Sequence, residues 1–225
     1  MKKELTTREV LLAAMFPHLS LALLNHFYKA PLYRAGAAWY WAADVLQFVL
    51  VPALAWFFLL RPAGIGPAQW GLALKPDRFA MRHSVGDGIF AALLIMAATW
   101  PAFRFTSVYL WQYADNYIAQ QAIPPGYRVL VAIYMSVGAA FVEEVVFRAL
   151  PWLYFAQLAP ARWRRGTYIL VSSLLFAAVH SEQGPGGVLA AFWFGLVAAR
   201  MYSKRQNLWP LVLAHFLIDL IIFGF

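Results

Sequence analysis

Seven long apolar stretches separated by short polar segments dominate the chain. They cover residues 10–28, 37–60, 85–103, 128–158, 167–180, 188–202 and 208–225. A helix needs about 20 apolar residues to cross the hydrocarbon of a bilayer. The pattern therefore predicts an all-α fold, a polytopic membrane helix bundle with about seven transmembrane helices, built as a single membrane domain over residues 1–225.

The fourth stretch, residues 128–158, is too long for one straight span. Pro151 lies inside it, and a proline within a helix removes a backbone donor and clashes with the preceding turn. We expect Pro151 to break or tilt this helix. The fifth and sixth stretches are short, and we expect neighbouring helices to cover them.

Composition points to the same class of protein. The chain is 63% hydrophobic and 12% charged, with a mean hydropathy of +0.62, whereas soluble domains are about 45–50% apolar and about 25% charged. The chain has no cysteine. This excludes thiol catalysis, disulfides and thiolate metal sites.

The net charge is +8, and the basic residues are distributed as expected for a membrane protein. With the N-terminus in the cytoplasm and the sides alternating, 14 basic residues fall on the cytoplasmic side and 4 on the other, the bias known as positive-inside. We therefore expect headgroup contacts with the lipid bilayer and no nucleic acid as a partner. The cytoplasmic set is Lys2, Lys3, Arg8, Arg61, Lys75, Arg78, Arg82, Arg148, Arg162, Arg164, Arg165, Arg200, Lys204 and Arg205; the other set is Lys29, Arg34, Arg104 and Arg128.

Charged groups interrupt the apolar stretches of the C-terminal half. GAAFVEEVVFRAL carries Glu143, Glu144 and Arg148, FAAVH ends at His180, and LWPLVLAHFLIDL carries His215 and Asp219. Ionised groups inside a membrane are costly, and they usually mark functional sites.

The spacing of these groups along each helix predicts which of them share a face. Glu144 and Arg148 are four residues apart, so they share a helix face and can pair, and His215 and Asp219 are related in the same way. Glu143 points about 100° away from Glu144, toward a different cavity. If the three helix faces converge, they enclose a polar pocket.

Such a pocket has the chemistry for peptide-bond hydrolysis. A carboxylate near a histidine can deprotonate a water, and a second histidine with an Asp can stabilise the oxyanion of the tetrahedral intermediate. For Glu144 and Arg148 the alternative is a purely structural ion pair. For His180 or His215 alone it is an interhelical hydrogen bond.

These motifs resemble a known family. EEVVFR (residues 143–148) resembles the EExxxR motif of the CPBP family, the CAAX-protease and bacteriocin-processing (Abi) family of glutamic-type intramembrane proteases. FAAVH (residues 176–180) resembles its FxxxH motif, and WPLVLAHFLID resembles its third motif, HxxxN or HxxxD. The resemblance covers roughly residues 130–220. It implies a CPBP-like catalytic core at 128–225, and leaves 1–103 as N-terminal transmembrane helices without a recognised motif.

The resemblance also implies roles. Glu143 would activate water with the help of His180, His215 and Asp219 would form the oxyanion site, and Glu144 and Arg148 would hold the first motif in place. An ionised Asp cannot donate a hydrogen bond to an oxyanion, so Asp219 is either protonated or orients His215, and we favour the second.

No cofactor is expected. The two histidines and two carboxylates could in principle hold zinc. The HExxH helix motif is absent, and we favour a metal-free mechanism, with zinc as the lesser alternative.

Two further expectations concern geometry. The topology places His180 toward the non-cytoplasmic end of its span and His215 nearer the cytoplasmic end, so their convergence requires tilted or offset helices. In the second stretch, Asp44 and Gln47 are predicted to form interhelical hydrogen bonds, with a substrate path as the alternative.

The sequence thus predicts an intramembrane endopeptidase, acting on a membrane-anchored protein or peptide such as a CAAX-type C-terminus, a leader peptide or a sorting-signal tail. The composition fits a bacterial inner membrane. A non-catalytic scaffold or immunity-type protein that binds a partner in the same pocket is the main alternative. A proton-coupled transporter is a weaker one, because no inverted repeat is evident. The oligomeric state is left open.

Overall fold

Eight helices and no strand make up the regular structure in the computed structural model, which describes residues 5–72, 85–110, 121–158 and 160–224. The fold is therefore all-α, as predicted. In chain order the helices are α1 Thr7–Leu23, α2 Asn25–Ala35, α3 Ala37–Leu60, α4 Val85–Tyr109, α5 Arg128–Leu158, α6 Ala161–Ala178, α7 Gly184–Arg205 and α8 Trp209–Gly224.

The predicted count of seven spans is not confirmed. Four of the described helices (α3, α4, α5 and α7) are long and apolar enough to cross a membrane, and α1 with α2 makes a fifth if this bent pair is one span. Helix α6 falls outside the set because its first turns carry Arg162, Arg164 and Arg165. Helix α8 is apolar but has only 16 residues.

Much of the outer surface is apolar. Phe16 is 71% exposed, Phe58 73% and Leu130 67%, and these residues lie on three different helices. A soluble monomer rarely leaves extended apolar surface in water, whereas lipid is a good solvent for it. The fold is that of an integral membrane protein.

Helices α6 and α7 approach each other closely where their side chains are small. A Cβ added at Gly195 of α7 would lie 3.0 Å from the Cα of Ser173 on α6. Small residues at such crossings are typical of membrane helix pairs, since dispersion contacts rather than water expulsion hold the helices together. This packing fixes where the chain leaves α6, and with it the position of His180.

Of the break or tilt predicted at Pro151, the break is wrong. Helix α5 continues through Pro151 to Leu158, and a widened π turn at Val145–Ala149 directly precedes the proline. In an α-helical ladder the carbonyl of Phe147 would accept from residue 151, which has no N–H. The hydroxyl of Ser172 on α6 donates to this carbonyl instead. A neighbouring helix therefore satisfies the freed backbone group, as membrane burial requires.

We expect Ser172→Ala to destabilise the fold by about 0.6–1.7 kcal/mol, the range measured for interhelical hydrogen bonds in membranes. Ser173→Ala is the matched control, because the Ser173 hydroxyl bonds only the Ile169 carbonyl of its own helix. Thermal unfolding in detergent measures both variants. Equal losses for the two would contradict this account of Pro151.

Candidate active site

The two adjacent glutamates of α5 point in different directions, as the helical geometry predicts. Glu144 is fully buried, whereas the Glu143 side chain is 12% exposed and lines a cavity of about 80 Å³. The buried Oε2 atom of Glu143 has no hydrogen-bond partner among the described residues. Glu143 therefore lines the cavity and has one carboxylate oxygen without a hydrogen-bond donor in the residues that the structure describes.

Arg148 lies one turn after Glu144 on α5 and has no exposed surface. Its Nε is 3.3 Å from the Glu144 Oε2, an electrostatic contact without the alignment of a hydrogen bond. The guanidinium also lies 4.1 Å from the ring centre of Phe176 and 5.5 Å from that of Phe194. Aromatic faces attract a cation, and the attraction grows when water is excluded. The buried charge is thus held by one carboxylate and two rings.

His215 of α8 joins the two glutamates. Its Nδ1 is 2.9 Å from the Glu144 Oε1, and its Nε2 is 3.8 Å from the Glu143 Oε2 and 3.5 Å from the Asp219 Oδ2. The Glu144 carboxylate accepts from Nδ1–H, which leaves Nε2 facing the cavity between two carboxyl groups. The i,i+4 contact of His215 with Asp219 is present as predicted. The stronger contact, to Glu144 of another helix, was not predicted.

His180 lies just past the end of α6 and lines the same cavity. Its Nδ1 is 2.7 Å from the Phe176 carbonyl. A carbonyl only accepts, so Nδ1 carries the hydrogen and the lone pair of the neutral ring is on Nε2. The His180 ring also packs on Phe176, with 4.5 Å between ring centres. Its fixed tautomer leaves Nε2 able to accept a proton.

The offset between the two histidines is explained by the shortness of α6. From Thr167, after the arginines of its first turns, to Ala178, the helix rises only about 18 Å at 1.5 Å per residue. The hydrocarbon core is about 30 Å thick. The apolar part of α6 is therefore shorter than the hydrocarbon core, and His180 at its end lines one cavity with Glu143, His215 and Asp219.

The N-terminal helices supply the opposite wall of the cavity, as the residues lining it show. Lys29 Nζ is 3.0 Å from the Asp44 Oδ1, and the Tyr134 hydroxyl donates to the Asp44 Oδ2 at 3.2 Å. The Tyr28 hydroxyl donates to the Gln47 side chain. Asp44 and Gln47 therefore make the predicted interhelical hydrogen bonds and also line the cavity.

Glu182 is a cavity residue that the sequence reasoning missed. Its Oε1 accepts from the Asn25 Nδ2 at 2.9 Å, across 157 positions of sequence. The available signal was its place two residues after His180. No local pattern points to Asn25, because it lies in the bend of 59° between α1 and α2.

Zinc binding is the lesser alternative from the sequence. Within the described ranges, no group of three or more His, Asp or Glu side chains is arranged to hold a metal ion. The Nδ1 of His215 faces Glu144 rather than the cavity. The metal-free mechanism remains a prediction.

Comparison with known proteins identifies one family. The family model described as type II CAAX prenyl endopeptidase Rce1-like matches residues 125–221, the segment that carries all three motifs. No curated protein and no solved structure gives a significant match. Helices α1 to α4 lie outside the matched segment.

Glu144→Gln should destabilise the protein by about 3–5 kcal/mol, because removing one partner of a buried pair leaves Arg148 as an uncompensated charge. Thermal unfolding in detergent measures the loss. The same substitution at exposed Glu9, where Gln can still complete the capping box with Thr6, should leave unfolding unchanged. A Glu144→Gln protein as stable as the Glu9→Gln control would contradict a stabilising role for Glu144.

Proposed function

We propose, from the match of residues 125–221 to the Rce1-like family of type II CAAX prenyl endopeptidases, that the protein is an intramembrane endopeptidase of the glutamic type. The proposal rests above all on one observation, that Glu143, His180, His215 and Asp219 line a single cavity. A water in this cavity would meet a carboxylate, an imidazole lone pair and a second imidazole held by a buried carboxylate.

In the proposed reaction, Glu143 is the general base. Its carboxylate takes a proton from water, and the water oxygen attacks the carbonyl carbon of the scissile bond. His180 Nε2 accepts a hydrogen bond from the same water and orients it. The proton then passes to the leaving nitrogen, and the peptide C–N bond breaks.

His215 would stabilise the oxyanion. Glu144 holds its Nδ1–H, so the ring is fixed before substrate arrives, and a proton on Nε2 can be donated to the developing negative charge. Asp219, at 3.5 Å from Nε2, orients the ring from the cavity side. This assignment lets an ionised Asp219 take part without donating a hydrogen bond.

The substrate proposed is a membrane-anchored protein or peptide. The cavity lies between helices that face lipid, so a chain tethered to the bilayer reaches it without leaving the membrane. A CAAX-type C-terminus, a leader peptide and a sorting-signal tail all meet this requirement. A cytoplasmic N-terminus is proposed from the distribution of basic residues that results if the seven apolar stretches alternate sides, and a bacterial inner membrane is proposed from the composition.

Glu143→Gln should lower the cleavage rate by about 10²–10⁴-fold, the usual contribution of a general base. The amide keeps the shape of the side chain but is a poor proton acceptor. The measurement is mass spectrometry of products from a library of membrane-anchored peptides, with purified wild type and variant in detergent. The Trp193→Phe variant, whose lost hydrogen bond to the Ala98 carbonyl lies away from the cavity, serves as the control.

A chelator added to the same reactions tests the metal-free mechanism, and we expect no loss of cleavage. Loss of wild-type cleavage on chelation would replace it with the zinc alternative. Full activity in Glu143→Gln would refute the general-base role. If no peptide is cut by wild type although the substrates are bound, the non-catalytic binding protein becomes the better account.

A further inference from the structure

The proposed catalytic groups are divided between two parts of the bundle. Glu143 on α5 and His215 and Asp219 on α8 are joined directly, through the contacts of His215. His180 stands apart at the end of α6. In the described part of the chain, no hydrogen bond or ion pair connects His180 to Glu143, His215 or Asp219. Its distance from the base therefore depends on other contacts.

The segment that carries His180 is short and irregular. After α6 ends, a single 3₁₀ turn at Ser181–Gln183 leads into α7, and Gly184 has a φ of 71°. His180 is held on its own side by the Phe176 carbonyl. The contact from the opposite side is the hydrogen bond between Glu182 and Asn25. Asn25 begins α2, outside the segment that matches the family.

From Asn25 a line of polar contacts leads back to the helix of the base. Lys29 lies four residues along α2, on the same face as Asn25. Its ammonium pairs with Asp44 of α3, and Asp44 also accepts from the Tyr134 hydroxyl of α5. Tyr134 lies on the helix of Glu143, about 14 Å along its axis.

These contacts form a strut across the cavity, from the His180 segment through α2 and α3 to α5. Lys29 and Asp44 are 5% and 3% exposed. A buried ion pair with this geometry is stiff, since moving either partner leaves a charge without compensation. The strut therefore fixes the separation of its two ends, which are the His180 segment and α5.

We propose that Asn25 and Glu182 are positioning residues, which set His180 at its working distance from Glu143 through this strut. The expected effect on kcat rests on the proposed function. The expected effect on the His180 segment does not. The strut makes the N-terminal helices part of the active site, although they carry no family motif. A misplacement of about 1 Å in a reacting group can cost about 10²-fold in rate.

The test reverses the hydrogen bond. Asn25→Asp alone places two carboxylates against each other, and should lower kcat about 100-fold with little change in KM. Glu182→Gln alone keeps an acceptor for Asn25 and should retain most of kcat. The double variant Asn25→Asp/Glu182→Gln has the charge of wild type and a hydrogen bond in the opposite direction. It should recover kcat to within about tenfold of wild type.

Hydrogen–deuterium exchange of the peptide spanning residues 179–187 provides a readout that needs no activity. Asn25→Asp should exchange faster there, the double variant should return to the wild-type rate, and Trp193→Phe should not differ from wild type. If wild type cleaves nothing, the proposed function fails while the exchange result still decides on the strut. If Asn25→Asp has the kcat and the exchange rate of wild type, the inference is overturned. A folded double variant that recovers neither would also overturn it.

Discussion

The carboxylate of Glu144 is completely buried and contacts Arg148 on its own helix and His215 on α8. Removing a charge from water costs several kcal/mol unless partners compensate for it. Here the carboxylate of Glu144 and the guanidinium of Arg148 compensate each other. The rings of Phe176 and Phe194 cover the guanidinium. The arrangement of α5, α6, α7 and α8 follows from this requirement. With Glu144 turned inward, its neighbour Glu143 must face the cavity.

Buried backbone groups need partners as buried charges do, and this explains how α5 tolerates an irregular turn beside the site. The π turn at Val145–Ala149 lies between Glu144 and Pro151, and Ser172 bonds the Phe147 carbonyl that Pro151 leaves without a donor. Helix α6 is tied in this way to the helix that carries the glutamates, one and a half turns before its end. His180 follows that end, in a segment that the N-terminal helices reach through Asn25. Local departures from regular helix thus accompany the convergence of the proposed catalytic side chains on one cavity.

The sequence correctly predicted the contacts and side-chain directions that depend on a single helix. Four-residue spacing correctly paired Glu144 with Arg148 and His215 with Asp219, and the 100° turn separated Glu143 from Glu144. The partners in contacts between helices could not be predicted in this way, although interhelical hydrogen bonds of Asp44 and Gln47 were. The bond from Glu144 to His215 and that from Asn25 to Glu182 join residues 71 and 157 positions apart. The count of seven spans is not confirmed, because the three arginines are part of α6 and α8 has only 16 residues.

The central claim of this account is that Glu143 activates a water that attacks the substrate directly. Single-turnover cleavage in H₂¹⁸O, with enzyme in excess and products analysed by mass spectrometry, tests it. The account predicts one ¹⁸O in the new carboxyl terminus of the product and none in the Glu143 peptide of the enzyme. A covalent adduct at Glu143, or ¹⁸O in its carboxylate, would show that Glu143 is itself the nucleophile and would contradict the claim.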